Sequence, residues 1–193
     1  MHSKTLITAA VCAWFMAGSA HADPRSGEML GNTCAGCHGT FGASAGLSMP
    51  SLAGMNKRYL YQTMLDFKSG RRESTIMGRM ARAYSDNELR ALAAFFGDQQ
   101  WQQAPVKVDA KLVARGEALH QAKCASCHKD GGRYNSQEVP RLAGQWPQFL
   151  SSQLQDMARE DFHGPQPIKM RQRVRELSRE DMQALAQYYA SLK

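Results

Sequence analysis

Residues 32–42 read NTCAGCHGTFG, and residues 122–132 read AKCASCHKDGG. Each stretch places two cysteines three apart with a histidine directly behind the second: Cys34, Cys37 and His38, then Cys124, Cys127 and His128. On a helical turn such side chains share one face. Two thiols in that arrangement can form thioethers with the two vinyl groups of one haem while the imidazole binds its iron, which is the c-type attachment signature. Two disulfides, a redox dithiol or a single four-cysteine zinc site would also use these cysteines. None of them explains a histidine behind both pairs, and 86 residues separate the pairs, a long gap for one zinc. Two covalently attached haem c groups are therefore expected, bound through Cys34, Cys37, Cys124 and Cys127, with His38 and His128 as axial ligands.

The repeat extends well beyond the motif. At an offset of 90, Pro50 meets Pro140, the LAG of 52–54 meets that of 142–144, and Asp66 meets Asp156. Beyond this the offset becomes 93, which implies three extra residues in the second copy near DFHGPQP. Ser85 then meets Ser178, Leu89 meets Met182, Leu92 meets Leu185 and Phe96 meets Tyr189. These apolar positions recur at helical spacing, and Ser85 with Glu88, like Ser178 with Asp181, reads as a capping signal. Helices are also expected at 25–37, 57–67, 111–127 and 147–159. No segment alternates with period two, so the predicted class is all-α.

The polar stretch 97–109, opened by Gly97 and interrupted by Pro105, suits a linker. The predicted organisation is a signal peptide over 1–22, one domain over 23–98, a linker over 99–109 and a second domain over 110–193. Domains this small have difficulty stabilising themselves by core burial alone, so a large bound group is expected in the middle of each.

The leader reading rests on Lys4, an apolar run from Leu6 to Ala17 and an A-x-A site ending at Ala22. That run is too short to cross a bilayer comfortably, and no later stretch is apolar enough. Export to the periplasm is the expectation, the compartment in which c-type haem is attached. Removing residues 1–22 takes away Cys12 and leaves 171 of the 193 residues, with the formal charge falling from +7 to +6. A pI near 9.3 suits an acidic partner surface, although a basic balance also serves solubility alone.

The repeat also selects candidates for the opposite face of each iron. Met77 precedes Ser85 by eight residues and Met170 precedes Ser178 by eight, and among the nine methionines after the leader only these match at that register. Met80 is a rival, but Arg173 stands at its counterpart; His163 is a rival without a counterpart in the first copy. Met77 and Met170 are thus the expected sixth ligands, closing both irons and raising their potentials. Pro50 and Pro140 are candidates for the carbonyl that accepts from each axial imidazole, or else simply stiffen their loops. Arg71, Arg72, Arg79 and Arg82, and Arg171, Arg173, Arg175 and Arg179, could steer an acidic partner, pair with haem propionates or face solvent.

With these residues in view, the chain resembles the dihaem c4-type cytochromes, tandem class I cytochrome c domains that each carry CxxCH, a P-x-LAG loop and a methionine ahead of a final helix. Within that group it is similar to the cytochrome subunit of flavocytochrome c sulfide dehydrogenase, through EMLGNTCAGCHGTFG (28–42), FKSGRRESTIMGRMARAYS (67–85) and LAGQWPQFL (142–150). The resemblance implies two domains, each wrapped around one haem and related by a pseudo-twofold. It also implies a heterodimer with a FAD-containing, sulfide-oxidising subunit that supplies electrons, and a downstream cytochrome or oxidase that takes them. No substrate-converting site and no nucleic-acid partner are expected in this chain. The alternatives are a freestanding dihaem carrier feeding a terminal oxidase, and a haem enzyme whose open iron would require one methionine to be displaced.

Overall fold

A computed structural model describes residues 26–193; the expected leader and the first three residues of the expected first domain, Asp23, Pro24 and Arg25, lie outside them. The described residues form helices and connecting loops, with no strand among them. In the first copy the helices are α1 (Gly27–Asn32), α2 (Ala35–His38), α3 (Lys57–Ser69), α4 (Met77–Arg82) and α5 (Asp86–Gly97). In the second they are α6 (Ala110–Leu119), α7 (Lys129–Gly132), α8 (Pro147–Ala158), α9 (Ile168–Arg175) and α10 (Arg179–Ser191). The all-α expectation holds, and so does the repeat register. The N-caps Ser85 and Ser178 differ by 93, as do the helix ends Arg82 and Arg175.

Both terminal helices open on a capping box, in which the serine accepts from the third residue's N–H while that residue's carboxylate accepts from the serine N–H. Ser85→Ala and Ser178→Ala are each expected to cost about 1 kcal/mol, measured by denaturant titration.

In each copy the first helix crosses the last at a glycine. A Cβ at Gly27 would strike the Ala91 carbonyl, and one at Gly116 the Ala184 carbonyl. Leu30, Leu60, Leu89, Leu92 and Phe96 build the first core; Leu150, Leu185, Tyr188 and Tyr189 build the second. A third cluster, Met157, Phe162, Val174 and Met182, sits under α9.

Two of the expected helices differ from the continuous forms read off the periodicity. The helix expected over 25–37 breaks at Thr33, whose hydroxyl donates to the Leu30 carbonyl at 2.6 Å. The helix expected over 111–127 runs into a π turn at His120–Cys124. Seven positions separate Gly27 from Cys34 but eight separate Gly116 from Cys124. With both glycines fixed against the final helix, the extra residue of the second copy is absorbed by widening one turn.

The loop after each haem-binding motif is held identically. Leu52 and Ala53 N–H groups donate to the Gly42 carbonyl at 2.8 and 3.2 Å, and Leu142 and Ala143 donate to that of Gly132 at 2.8 and 3.0 Å. Gly54 then donates to Phe96 at 2.9 Å and Gly144 to Tyr189 at 2.8 Å. Gly42 and Gly132 have φ of +80° and +85°, and a Cβ at either would press on the Phe96 or Tyr189 ring. Only glycine meets both demands.

The two copies are joined by side chains of the second reaching the backbone of the first. Trp146 Nε1 donates to the Ser44 carbonyl at 3.0 Å, and the Gln145 amide engages Ser51. The Asn135 amide donates to Gly54 at 2.9 Å while its oxygen accepts from the Asn56 N–H at 3.0 Å. The three-residue insertion has a use here. Arg159 pairs with Glu73 across the interface, and the His163 N–H donates to the same carboxylate at 3.2 Å. The segment 99–109 is not a loose tether: Ala104 is buried and donates to Gly144 at 2.8 Å, and Gln103 donates to the Ala190 carbonyl at 3.1 Å.

Candidate functional site: two CxxCH turns

Each CxxCH motif occupies one helical turn. The Cys37 and His38 N–H groups donate to the Cys34 carbonyl at 3.2 and 2.9 Å, and Cys127 and His128 to that of Cys124 at 3.2 and 3.0 Å. The turn points the two thiols and the imidazole the same way. None of the four cysteines is paired in a disulfide; Cys37 and Cys127 are exposed, Cys34 and Cys124 half-buried. Among the described residues no three of His, Cys, Asp or Glu gather into a metal-holding group, so the two pairs do not combine into one zinc site.

His38 is buried, and its Nδ1 lies 2.9 Å from the Pro50 carbonyl. With Nδ1–H donating there, Nε2 is the ring nitrogen that would be available to an iron. Burial pulls the His38 pKa below its ordinary value, against the opposing pull of the Pro50 carbonyl. His128 is pulled down to about 4, by burial first and by the nearby His120 second. Burial thus favours the neutral form of both imidazoles, the form a metal requires.

The copies diverge at the proline. Pro140 stands in register with Pro50, but His128 Nδ1 is buried without a protein partner among the described residues. Pro140 therefore does not accept from His128 in this structure, whereas Pro50 does from His38. Around this histidine the second copy carries a polar pair that the sequence reading missed. His120 Nδ1 lies 3.0 Å from the Tyr189 hydroxyl, both groups buried, and Tyr189 also reaches Cys124. Burial pushes the Tyr189 hydroxyl pKa up. The first copy has Leu30 four residues ahead of its first cysteine and Phe96 in the place of Tyr189. Tyr189→Phe strands His120 and is expected to cost about 1–3 kcal/mol, read as a lower denaturation midpoint confined to the second copy.

Met77 opens α4 and is half-buried, while Met80, one turn on, is exposed. Met170 lies in α9, half-buried and packed against the Met157, Phe162, Val174 and Met182 cluster. His163 is an exposed residue of the interface strap. Four of the eight flagged arginines have structural partners: Arg71 on Asp66, Arg72 on Gln153 at 2.8 Å, Arg173 on Ser126 at 3.3 Å, and Arg175 on the Arg159 and Glu160 carbonyls at 3.3 Å.

The paired CxxCH turns, buried histidines and all-helical cores define a two-domain cytochrome c. The family description "Cytochrome c" matches residues 26–99, and "Cytochrome C oxidase, cbb3-type, subunit III" matches residues 111–188. Cytochrome c4 of Pseudomonas aeruginosa is 31% identical over 92% of this chain and 93% of its own length. The crystal structure of reduced cytochrome c4 from Pseudomonas stutzeri superposes with a TM-score of 0.78 at 29% identity, covering 89% of this chain and 99% of that one. The chain belongs to the dihaem c4-type cytochromes c, electron carriers with two covalently bound haem c groups. Some relatives bear names that specify a donor, among them two of different kinds. The cytochrome subunit of sulfide dehydrogenase from Chlorobaculum tepidum is 44% identical over 72 residues, 37% of this chain and 64% of that one. The thiosulfate dehydrogenase electron acceptor of Stutzerimonas stutzeri is 32% identical, covering 82% of this chain and 78% of its own.

Proposed function

We propose that this chain is the periplasmic cytochrome subunit of a sulfide-oxidising flavoprotein, accepting electrons from a FAD-containing partner and passing them to a downstream cytochrome or oxidase. The observation that supports this reading is the 44% identity to a sulfide dehydrogenase cytochrome subunit over 72 residues, 37% of this chain, beside the 31% shared with cytochrome c4 over 92% of it. In this reading residues 1–22 are the export leader, and 23–98 and 110–193 are the two haem domains joined by 99–109. Haem, once bound, supplies a reversible one-electron change at iron. Cys34 and Cys37, and Cys124 and Cys127, anchor it; His38 and His128 ligate one side; Met77 and Met170 close the other. The buried histidines and helical cores keep water from that change, which lowers the reorganisation each transfer requires.

The test is purification of the native protein followed by sulfide addition. Co-elution with a flavoprotein and sulfide-dependent reduction of both haems are expected. A protein that elutes alone and is not reduced by sulfide with any flavoprotein fraction defeats the reading. A freestanding carrier is the second reading, favoured by the end-to-end match to cytochrome c4. It predicts rapid oxidation by oxidase-containing membranes from a protein that elutes alone. No described helix is long and apolar enough to cross a membrane.

A further inference from the structure

Gln145 belongs to the second copy, yet both ends of its side chain are engaged by the first. Its amide oxygen accepts from the Ser51 N–H at 2.9 Å, and its amide nitrogen donates to the Ser51 carbonyl at 3.1 Å. Both residues are 2% exposed, so water cannot replace either bond. Ser51 N–H and Pro50 C=O are the two ends of one planar peptide group. That carbonyl accepts from His38 Nδ1. A continuous line therefore runs from the His38 ring through the Pro50–Ser51 peptide to Gln145. Drawing on the peptide's N–H strengthens its carbonyl as an acceptor, and a stronger acceptor on Nδ1–H makes the imidazole a more electron-rich ligand.

The second copy receives no such support. At an offset of 90, Met55 stands where Gln145 does and Arg141 where Ser51 does, and His128 Nδ1 has no protein partner among the described residues. Methionine can neither donate nor accept as an amide does. The support runs one way, from the second domain to the first.

We propose that Gln145 is a positioning residue for the first haem, acting through the Pro50–Ser51 peptide on His38, so that the second domain sets the first haem's reduction potential. The proposal rests on His38 being the axial ligand of that haem. Gln145→Met introduces the residue that the first copy carries at this register. It is expected to move the first haem's midpoint potential upward, with the second haem's unchanged, in a spectroelectrochemical titration of the full dihaem protein. The hyperfine-shifted haem methyl resonances of the first haem alone should move with it. Asn135→Ala is the control, since it breaks another two-bond contact across the same interface, at Gly54 and Asn56, without touching the Pro50–Ser51 peptide. Gln145→Leu likewise removes both bonds to Ser51 and serves if the methionine variant fails to fold; its expected shift is in the same direction and of similar size.

Unchanged potentials in the folded variant overturn the proposal. So does an equal shift of both haems, or the same shift in Asn135→Ala, which would mark general loosening of the interface. His38→Ala tests the underlying ligand assignment separately. If the first haem stays low-spin and six-coordinate in that variant, the assignment falls, whatever Gln145 does.

Discussion

Met77→Leu is expected to remove about half of the sulfur-to-iron charge-transfer absorption of the ferric protein, because one of two methionine-ligated haems loses its sulfur. Met80→Leu should leave the band whole. The argument is positional: Met77 opens α4 at the register that Met170 occupies in α9, whereas Met80 is exposed and faces Arg173 in the repeat. Leucine conserves the volume, so the fold should lose less than about 1.5 kcal/mol, and the spectral change is then separable from unfolding. The first haem should also fall in potential and bind cyanide at its opened position. Met170→Leu should remove the other half. Since Met170 also packs on the Met157 and Phe162 cluster, a variant that melts earlier with an intact band would show it to be filler. A band that persists in Met77→Leu, or disappears in Met80→Leu, refutes the ligand set.

The second large effect is expected at a residue with no side chain. Gly116→Val places a branched side chain where a Cβ already collides with the Ala184 carbonyl. Helices α6 and α10 must separate, and the polar pair His120–Tyr189 lies between them one turn away. Overpacking of this kind costs about 3 kcal/mol. At roughly 4–8 °C per kcal/mol for a domain of this size, the second domain's melting should fall by about 12–24 °C. Lys111→Val, on the exposed side of the same helix, should change little. Calorimetry resolves the two domains if they melt apart. An unchanged transition in Gly116→Val would mean that the helix crossing is not tight.

Much of this architecture is legible in the chain because the repeat compares the protein with itself. The CxxCH pairs, the LAG loops and the serine caps recur at fixed offsets, and each recurs in the structure as the same hydrogen-bonded turn. The π turn left only a faint trace, one extra residue between Gly116 and Cys124, which a register counted from the cysteines passes over. The interface left less. Gln145, Asn135 and Trp146 bind backbone groups rather than complementary side chains, and a backbone acceptor has no letter in the sequence. For the same reason Pro140 misled: proline at the right position guarantees a carbonyl nearby, not one aimed at His128. His120 and Tyr189 were each visible as letters, but their pairing needs two helices to cross.

The segment joining the domains is laid into the interface at Ala104 and Gln103, and the Arg159–Glu73 strap closes the far side. The two CxxCH turns are consequently held at one separation instead of sampling many, and haems bound on them would be held likewise. Exchange of an electron between them should then depend on the intervening atoms and on driving force alone. Thickening the solvent with sucrose should leave its rate unchanged, as in a wired junction; in a hinged pair that rate would fall with viscosity.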